Sequence, residues 1–188
     1  MSQSYSISDD ELIKKYTTGD VKAFEELVER YKKPIVNFIY RMIGDFQEAE
    51  DMAQEVFIKL YWSAHTYEGR SSFVTWLFKI ASNLCCDSLR AKSHWECISL
   101  ESVKGQLLED DIFPSPQTSA ENSELARYIE VAIGKLSVQQ RQAIVLREYY
   151  NLSYTEIAEI EGCSITTIKS RIYKAKQQLK RRLNFLLD

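Results

Sequence analysis

The chain has 188 residues, 45% hydrophobic and 27% charged, which is room for one ordinary domain or two small ones in the globular range of composition. No stretch approaches the ~20 apolar residues that span a bilayer, and Met1–Tyr5 lacks a basic start followed by an apolar run, so we expect a cytoplasmic protein with no membrane insertion. A net charge of −3 argues mildly against nucleic-acid binding, unless the basic residues are gathered in one place.

In chain order, the first strong periodicity follows Asp20, a plausible N-cap. Phe24, Leu27, Val28, Tyr31, Ile35, Phe38, Ile39 and Met42 recur at steps of three and four, which reads as an amphipathic helix stopped by Gly44. A second helix is expected from about Asp45. It buries Ala49, Met52, Ala53, Val56, Phe57 and Leu60 and leaves Asp51, Gln54 and Glu55 on its polar side. A loop follows from Ala64 to Arg70. Ser71 and Ser72 are candidate caps for a third helix to about Arg90, whose apolar stripe is Phe73, Trp76, Leu77, Ile80, Ala81 and Leu84. Three such helices make a bundle.

Between roughly Ala91 and Ser123 the pattern decays. Pro114 and Pro116 fall here, with Glu109, Asp110 and Asp111, so we read residues 92–122 as a linker. Its Ile98, Leu100, Val103, Leu107, Leu108, Ile112 and Phe113 are too apolar for a freely solvated tether, and whether part of it packs on a domain stays open. Beyond it, Leu125, Ile129, Ala132, Ile133 and Leu136 share a helix face, and Ser137–Gln140 reads as a capping-box start for a helix to about Tyr149. Ser153–Glu156 is a second capping box, and Gly162 lies where the short helix it opens would end. No period-two run appears, so the fold class is all-α: two small helical domains, residues 1–91 and 123–188, joined by the linker.

Ile157, Ala158 and Gly162 have the spacing of a short helix turning tightly into a second one, a helix-turn-helix. If that second helix buries Ile165, Ile168 and Ile172, it throws Thr166, Thr167, Lys169, Ser170, Tyr173 and Lys174 outward, toward a DNA major groove. From Ile165 to Leu183 there are seven basic residues and no acid, so the basic charge is concentrated where such a helix could use it. Upstream, Tyr61, Trp62, Tyr67, Phe73, Trp76 and Phe78 are dense enough to be mostly core. Tyr67 differs because it lies in the loop, where an exposed aromatic could hold an unstacked base. Cys85, Cys86, His94 and Cys97 do not have zinc-finger spacing, and adjacent cysteines on a helix point about a hundred degrees apart, so reduced thiols and no metal are expected. With two histidines, no Ser/His/Asp set and no glycine-rich phosphate loop, nothing marks an enzyme or calls for a cofactor.

Several spaced stretches together resemble the extracytoplasmic-function group of bacterial sigma factors. They are Gly19-Asp20, Ala23-Phe24 and Tyr31; Glu48-Ala49-Glu50-Asp51 running into Gln54-Glu55-Val56-Phe57; Phe73, Thr75-Trp76-Leu77 and Asn83; Leu152-Ser153-Tyr154, Glu156-Ile157-Ala158 and Thr167-Ile168-Lys169-Ser170-Arg171. The resemblance covers nearly the whole chain. It implies two helical domains, regions 2 and 4, that dock on core RNA polymerase and read the −10 and −35 promoter elements. By that resemblance Asp51, Gln54 and Glu55 meet the clamp helices of the polymerase largest subunit. Tyr67 and Asn83 then capture a flipped base of the non-template strand, and Lys169, Ser170, Tyr173 and Lys174 read the −35 element. The resemblance also implies an anti-sigma factor as a partner. Two departures stand out: Lys169 and Lys174 occur where relatives often carry Arg, which alone offers a bidentate fork to guanine, and Glu68-Gly69-Arg70 reverses the common basic-Gly-acidic order. The rival reading is a stand-alone helix-turn-helix regulator that binds duplex DNA without polymerase.

Overall fold

A computed structural model describes residues 7–96 and 120–184, with side chains over 7–92 and 125–184. The expected linker lies mostly outside the described residues. Eight α-helices and one short 3-10 turn account for the regular structure there, and no strand occurs among the described residues.

The first helix, α1 (Asp9–Thr17), precedes the first one expected from the periodicity. Ser8 and Glu11 close a full capping box on it, and Leu12 and Ile13 bury its inner face. α2 (Val21–Ile43) starts on Asp20, whose side chain accepts from the Lys22 N–H, and stops at Gly44 in the left-handed conformation (φ 88°). α3 (Phe46–Ser63) is capped by Asp45, which accepts from the Glu48 N–H. A 3-10 turn over Ala64–Thr66 leads to the loop before α4 (Phe73–Glu96), which runs about two turns past the expected end. Ser72 caps α4 by accepting from the Thr75 N–H.

These helices bury Leu27, Ile35, Phe38, Met42, Val56, Leu60, Phe73 and Leu77 at their centre. The acids of α1 tie it to the bundle: Asp9 accepts from Arg30 at 2.9 Å and from the Tyr31 hydroxyl, and Asp10 accepts from the Tyr67 hydroxyl. At the other end, Glu48 on α3 receives Ser88 and Lys92 from α4.

The C-terminal part comprises α5 (Ala120–Gly134), α6 (Val138–Glu148), α7 (Tyr154–Glu161) and α8 (Ile165–Leu183). Ser137 caps α6 as expected. Its box is not closed, because the Gln140 carboxamide accepts from Gln178 on α8 instead. The two helical parts are packed on each other, α4 against α7 and α2 against α5 and α6. Tyr150 is the wedge: its ring stands 4.6 Å from Phe78 and 5.9 Å from Phe38, and its hydroxyl donates to the Pro34 carbonyl at 2.8 Å. Arg141 donates to the carbonyl of Met42 at the end of α2 and to that of Gly134. Cys86 of α4 donates to Gln142, which is buried.

Candidate nucleic-acid interface

The geometry of the C-terminal pair of helices follows from four residues. Ser153 and Glu156 close the capping box of α7, so the helix starts at a fixed place. Gly162 ends it in the left-handed conformation (φ 61°), which a side chain disfavours, and the Cys163 N–H turns back to the Ala158 carbonyl at 3.0 Å. Ser164 then opens α8 by accepting from the Thr167 N–H, with the two hydroxyls 2.9 Å apart. Ile157, Ala158, Ile168 and Ile172 are buried between the helices, whereas Ile165 is exposed rather than buried. It sits in the first turn of α8, ahead of the part that packs on α7.

On the opposite face Thr166, Lys169, Ser170, Tyr173 and Lys174 are all exposed, and Tyr173 stands 65% accessible. Thr167 is half-buried because it serves the N-cap. The Lys169 ammonium lies 6.0 Å from the centre of the Tyr154 ring, while Lys176 pairs with Glu148 at 2.9 Å. Among the described residues no carboxylate lies within ion-pair distance of Lys174, Lys180, Arg181 or Arg182. The result is a positive ridge with hydroxyls along it, suited to phosphate oxygens and base edges.

Behind the ridge, Arg171 turns inward and pairs with Glu161. The Glu161 side chain is almost wholly buried, and one of its carboxylate oxygens has no hydrogen-bond partner among the described residues. Burial pushes its pKa up to about 7, against the opposing pull of Arg171. This pair ties α8 to the end of α7 and withdraws Arg171 from the basic face.

In the N-terminal part, Asp51, Gln54 and Glu55 are exposed along α3, and none of them is drawn into an ion pair with another described residue. Asn83 is exposed on α4, where Trp76, Ile80, Asn83 and Asp87 recur at helical steps and face Lys59 and Trp62 of α3. Tyr67 is less free than its loop position suggests. It is half-buried, packs on Trp76 (5.1 Å) and Phe73 (6.2 Å), and donates to Asp10 and to the Ser71 carbonyl. Burial and the Asp10 carboxylate raise its hydroxyl pKa. The structure therefore brings Tyr67 to Trp76 and Trp76 to Asn83 along one side of α4, while the α8 residues form a separate surface.

Sequence reasoning put most of the upstream aromatics in the core, which holds for Phe73 and Phe78 alone: Tyr67 and Trp76 are half-buried, Tyr61 is exposed, and Trp62 is 71% exposed. The signal was present in spacing: Asp51, Glu55, Ile58 and Trp62 fall on one helical stripe, so the polar side of α3 continues into an apolar one. No group of three or more His, Cys, Asp or Glu among the described residues is placed to hold a metal ion, and no described helix is long and apolar enough to cross a membrane.

Comparison with known proteins matches the family "Sigma-70 region 2" over residues 27–94 and "Sigma-70, region 4" over residues 126–179. The RNA polymerase sigma-H factor of Pseudomonas aeruginosa is 35% identical over 185 residues, which is 95% of this chain and 95% of that one. The ECF RNA polymerase sigma factor SigW of Bacillus subtilis is 34% identical over 93% of this chain and 96% of its own length. Among solved structures, the sigma factor RpoE of Bartonella quintana bound to the anti-sigma factor NepR superposes with a TM-score of 0.72 at 26% identity, covering 87% of this chain and 98% of that one.

Proposed function

Because the chain belongs to the extracytoplasmic-function group of sigma factors, which carry RNA polymerase to promoters, we propose a division of labour among its residues. Residues 1–91 bind core polymerase and the melted −10 strand, residues 123–188 bind the −35 duplex, and residues 92–122 connect them. The observation that carries this reading is the acid-free, outward face of α8, held in place by the closed turn at Gly162.

On that face Thr166, Thr167, Lys169, Ser170, Tyr173 and Lys174 meet the −35 element. Thr166 and Thr167, at the helix start, are suited to phosphate, and the residues farther along to base edges. Lys169 and Lys174 act as point charges rather than as forks, so base preference falls more on Ser170 and Tyr173 than it would with arginines. Asp51, Gln54 and Glu55 offer a carboxylate-rich stripe to the polymerase clamp. Tyr67 and Asn83 bind the unpaired −10 strand, where extracting a base costs a few kcal/mol that new contacts recover. No covalent bond is broken by the sigma factor itself: promoter melting is differential binding to the open strand. The chain works in the cytoplasm, with the polymerase and the DNA, and by likeness to the Bartonella complex an anti-sigma factor restrains it.

The test mixes full-length protein with sigma-free bacterial core polymerase and measures complex formation and promoter opening. Wild type should do both, Asp51→Ala should weaken the complex, and Asn83→Ala should bind core but open promoters poorly. Failure to bind core, with tight duplex binding by the free protein, would establish a stand-alone regulator instead.

A further inference from the structure

Cys85, Cys86 and Cys163 are free thiols, and two of them converge on one buried ion pair. Cys85 is wholly buried in the N-terminal bundle, where the charge of Glu48 reaches it. Cys86, the next residue, points about a hundred degrees away around α4. It is half-buried, and its Sγ donates to the Gln142 side chain on α6 at 3.3 Å, so it already spans the junction between the two helical parts. Cys163 follows Gly162 in the turn between α7 and α8. It too is half-buried, and its Sγ accepts from the Arg171 guanidinium at 3.6 Å.

The packing of α4 on α7 carries these two thiols to the same end of the junction. Thr75, in the first turn of α4, hydrogen-bonds Glu156 in the first turn of α7. About three turns farther along α4, Cys86 is reached by the charges of Glu161, the last residue of α7, and of Arg171. The two helices therefore run in the same sense, and the turn that carries Cys163 follows at the Cys86 end. The Glu161–Arg171 pair acts on both sulfurs. Burial raises the pKa of each thiol and Arg171 opposes the rise, with its guanidinium in direct contact only with Cys163. Cys163 is therefore the better placed of the two to react first as a thiolate.

We propose that Cys86 and Cys163 form a disulfide when the protein meets a peroxide, and that this bridge locks the two helical parts in their packed arrangement. The Cys163 thiolate attacks the peroxide, breaking its O–O bond to give a sulfenic acid, and the released hydroxide takes up the thiol proton as water. The Cys86 sulfur then attacks the Cys163 sulfur and expels a second water, so that two thiols are oxidised and one peroxide is reduced. The Cys86–Gln142 hydrogen bond is replaced by a covalent tie across the same junction. Cys85 stays out of the exchange because it is enclosed. In a reducing compartment such a bridge is transient, which makes it a signal rather than a permanent staple. Its consequence rests on the reading of residues 1–91 and 123–188 as parts that engage different promoter elements: a chain tied shut cannot spread them.

The experiment treats the full chain with hydrogen peroxide, maps disulfides by peptide mass spectrometry without reduction, and measures promoter opening by holoenzyme assembled from oxidised or reduced protein. The promoter is chosen from genomic fragments by run-off transcription with reduced wild type. A Cys86–Cys163 peptide should appear within the monomer, promoter opening should be lost, and dithiothreitol should restore it. Cys86→Ser, which keeps a donor for Gln142, and Cys163→Ser should each open promoters before and after peroxide. A disulfide needs Cα atoms within about 7 Å, so absence of the Cys86–Cys163 peptide, or a bridge to Cys97 in its place, would overturn the proposal. A bridged protein that opens promoters as well as the reduced one would overturn the lock. Reduced wild type that opens no promoter would instead remove the sigma-factor reading, while the peptide map would still decide the bridge.

Discussion

Glu161 shows how one buried carboxyl couples the helix-turn-helix to pH. Its pKa rises from an ordinary 4.5 to about 7 because burial disfavours the charge more than Arg171 restores it. A carboxyl that holds its proton more tightly in the folded state favours the fold most below its unfolded value. That contribution declines as pH rises from about 4.5 to 7. Glu161→Gln removes the titration, so the fall in denaturant midpoint over this window should be shallower in the variant than in wild type. Glu130, also raised by burial, contributes a slope of the same sign to both proteins, and the difference between them removes it. Parallel pH profiles would show that Glu161 does not titrate in this range.

At the scale of elements, caps decide where the helices begin. Ser153 closes its box by two side-chain bonds, and Ser153→Ala should cost about 1 kcal/mol, a fall in melting temperature of about 3 °C for a chain of this size. Thermal melting followed by circular dichroism measures it, and an unchanged melting temperature would show that packing alone holds α7. The same caps explain what the sequence discloses. Asp20, Gly44, Asp45, Ser137, Ser153 and Gly162 all mark the ends expected of them, because each acts on neighbours within a few residues. α1 was missed despite its Ser8–Glu11 box, since in nine residues only Leu12 and Ile13 are buried and no long periodicity develops. The candidate site was legible in its residue types, Lys, Ser and Thr on α8 and carboxylates on α3. What was not legible depends on distant partners: Tyr67 is engaged by Asp10, 57 residues away, and Trp62 is propped outward by a column beginning at Tyr16.

For the whole molecule, the packing of the two helical parts meets a geometric limit. The −35 and −10 elements lie roughly 25 base pairs apart, about 85 Å along B-form DNA. A compact chain of this length has a radius of gyration of about 16 Å, too small to reach both. On the proposed division of labour, the Tyr150 wedge and the Arg141 contact must therefore release before both elements can be read together. A double variant, Arg141→Ala with Tyr150→Ala, should loosen the packing in the free protein and raise the radius of gyration seen by X-ray scattering by several ångströms. Helical circular dichroism should be retained. An unchanged radius would show that other contacts hold the parts together.

Two of the polar clasps across this junction, from Tyr150 and Arg141, end on main-chain oxygens of α2, those of Pro34 and Met42, whereas Cys86 and Gln142 meet through their side chains. A carbonyl acceptor is present whatever side chain its residue carries. Substitutions on the surface of α2 can therefore drift without deleting either acceptor, whereas a change at Arg141 or Tyr150 removes a donor outright. A screen for chains that fall open should then return hits concentrated on the donor half of the junction, an asymmetry that a junction of paired side chains would not impose.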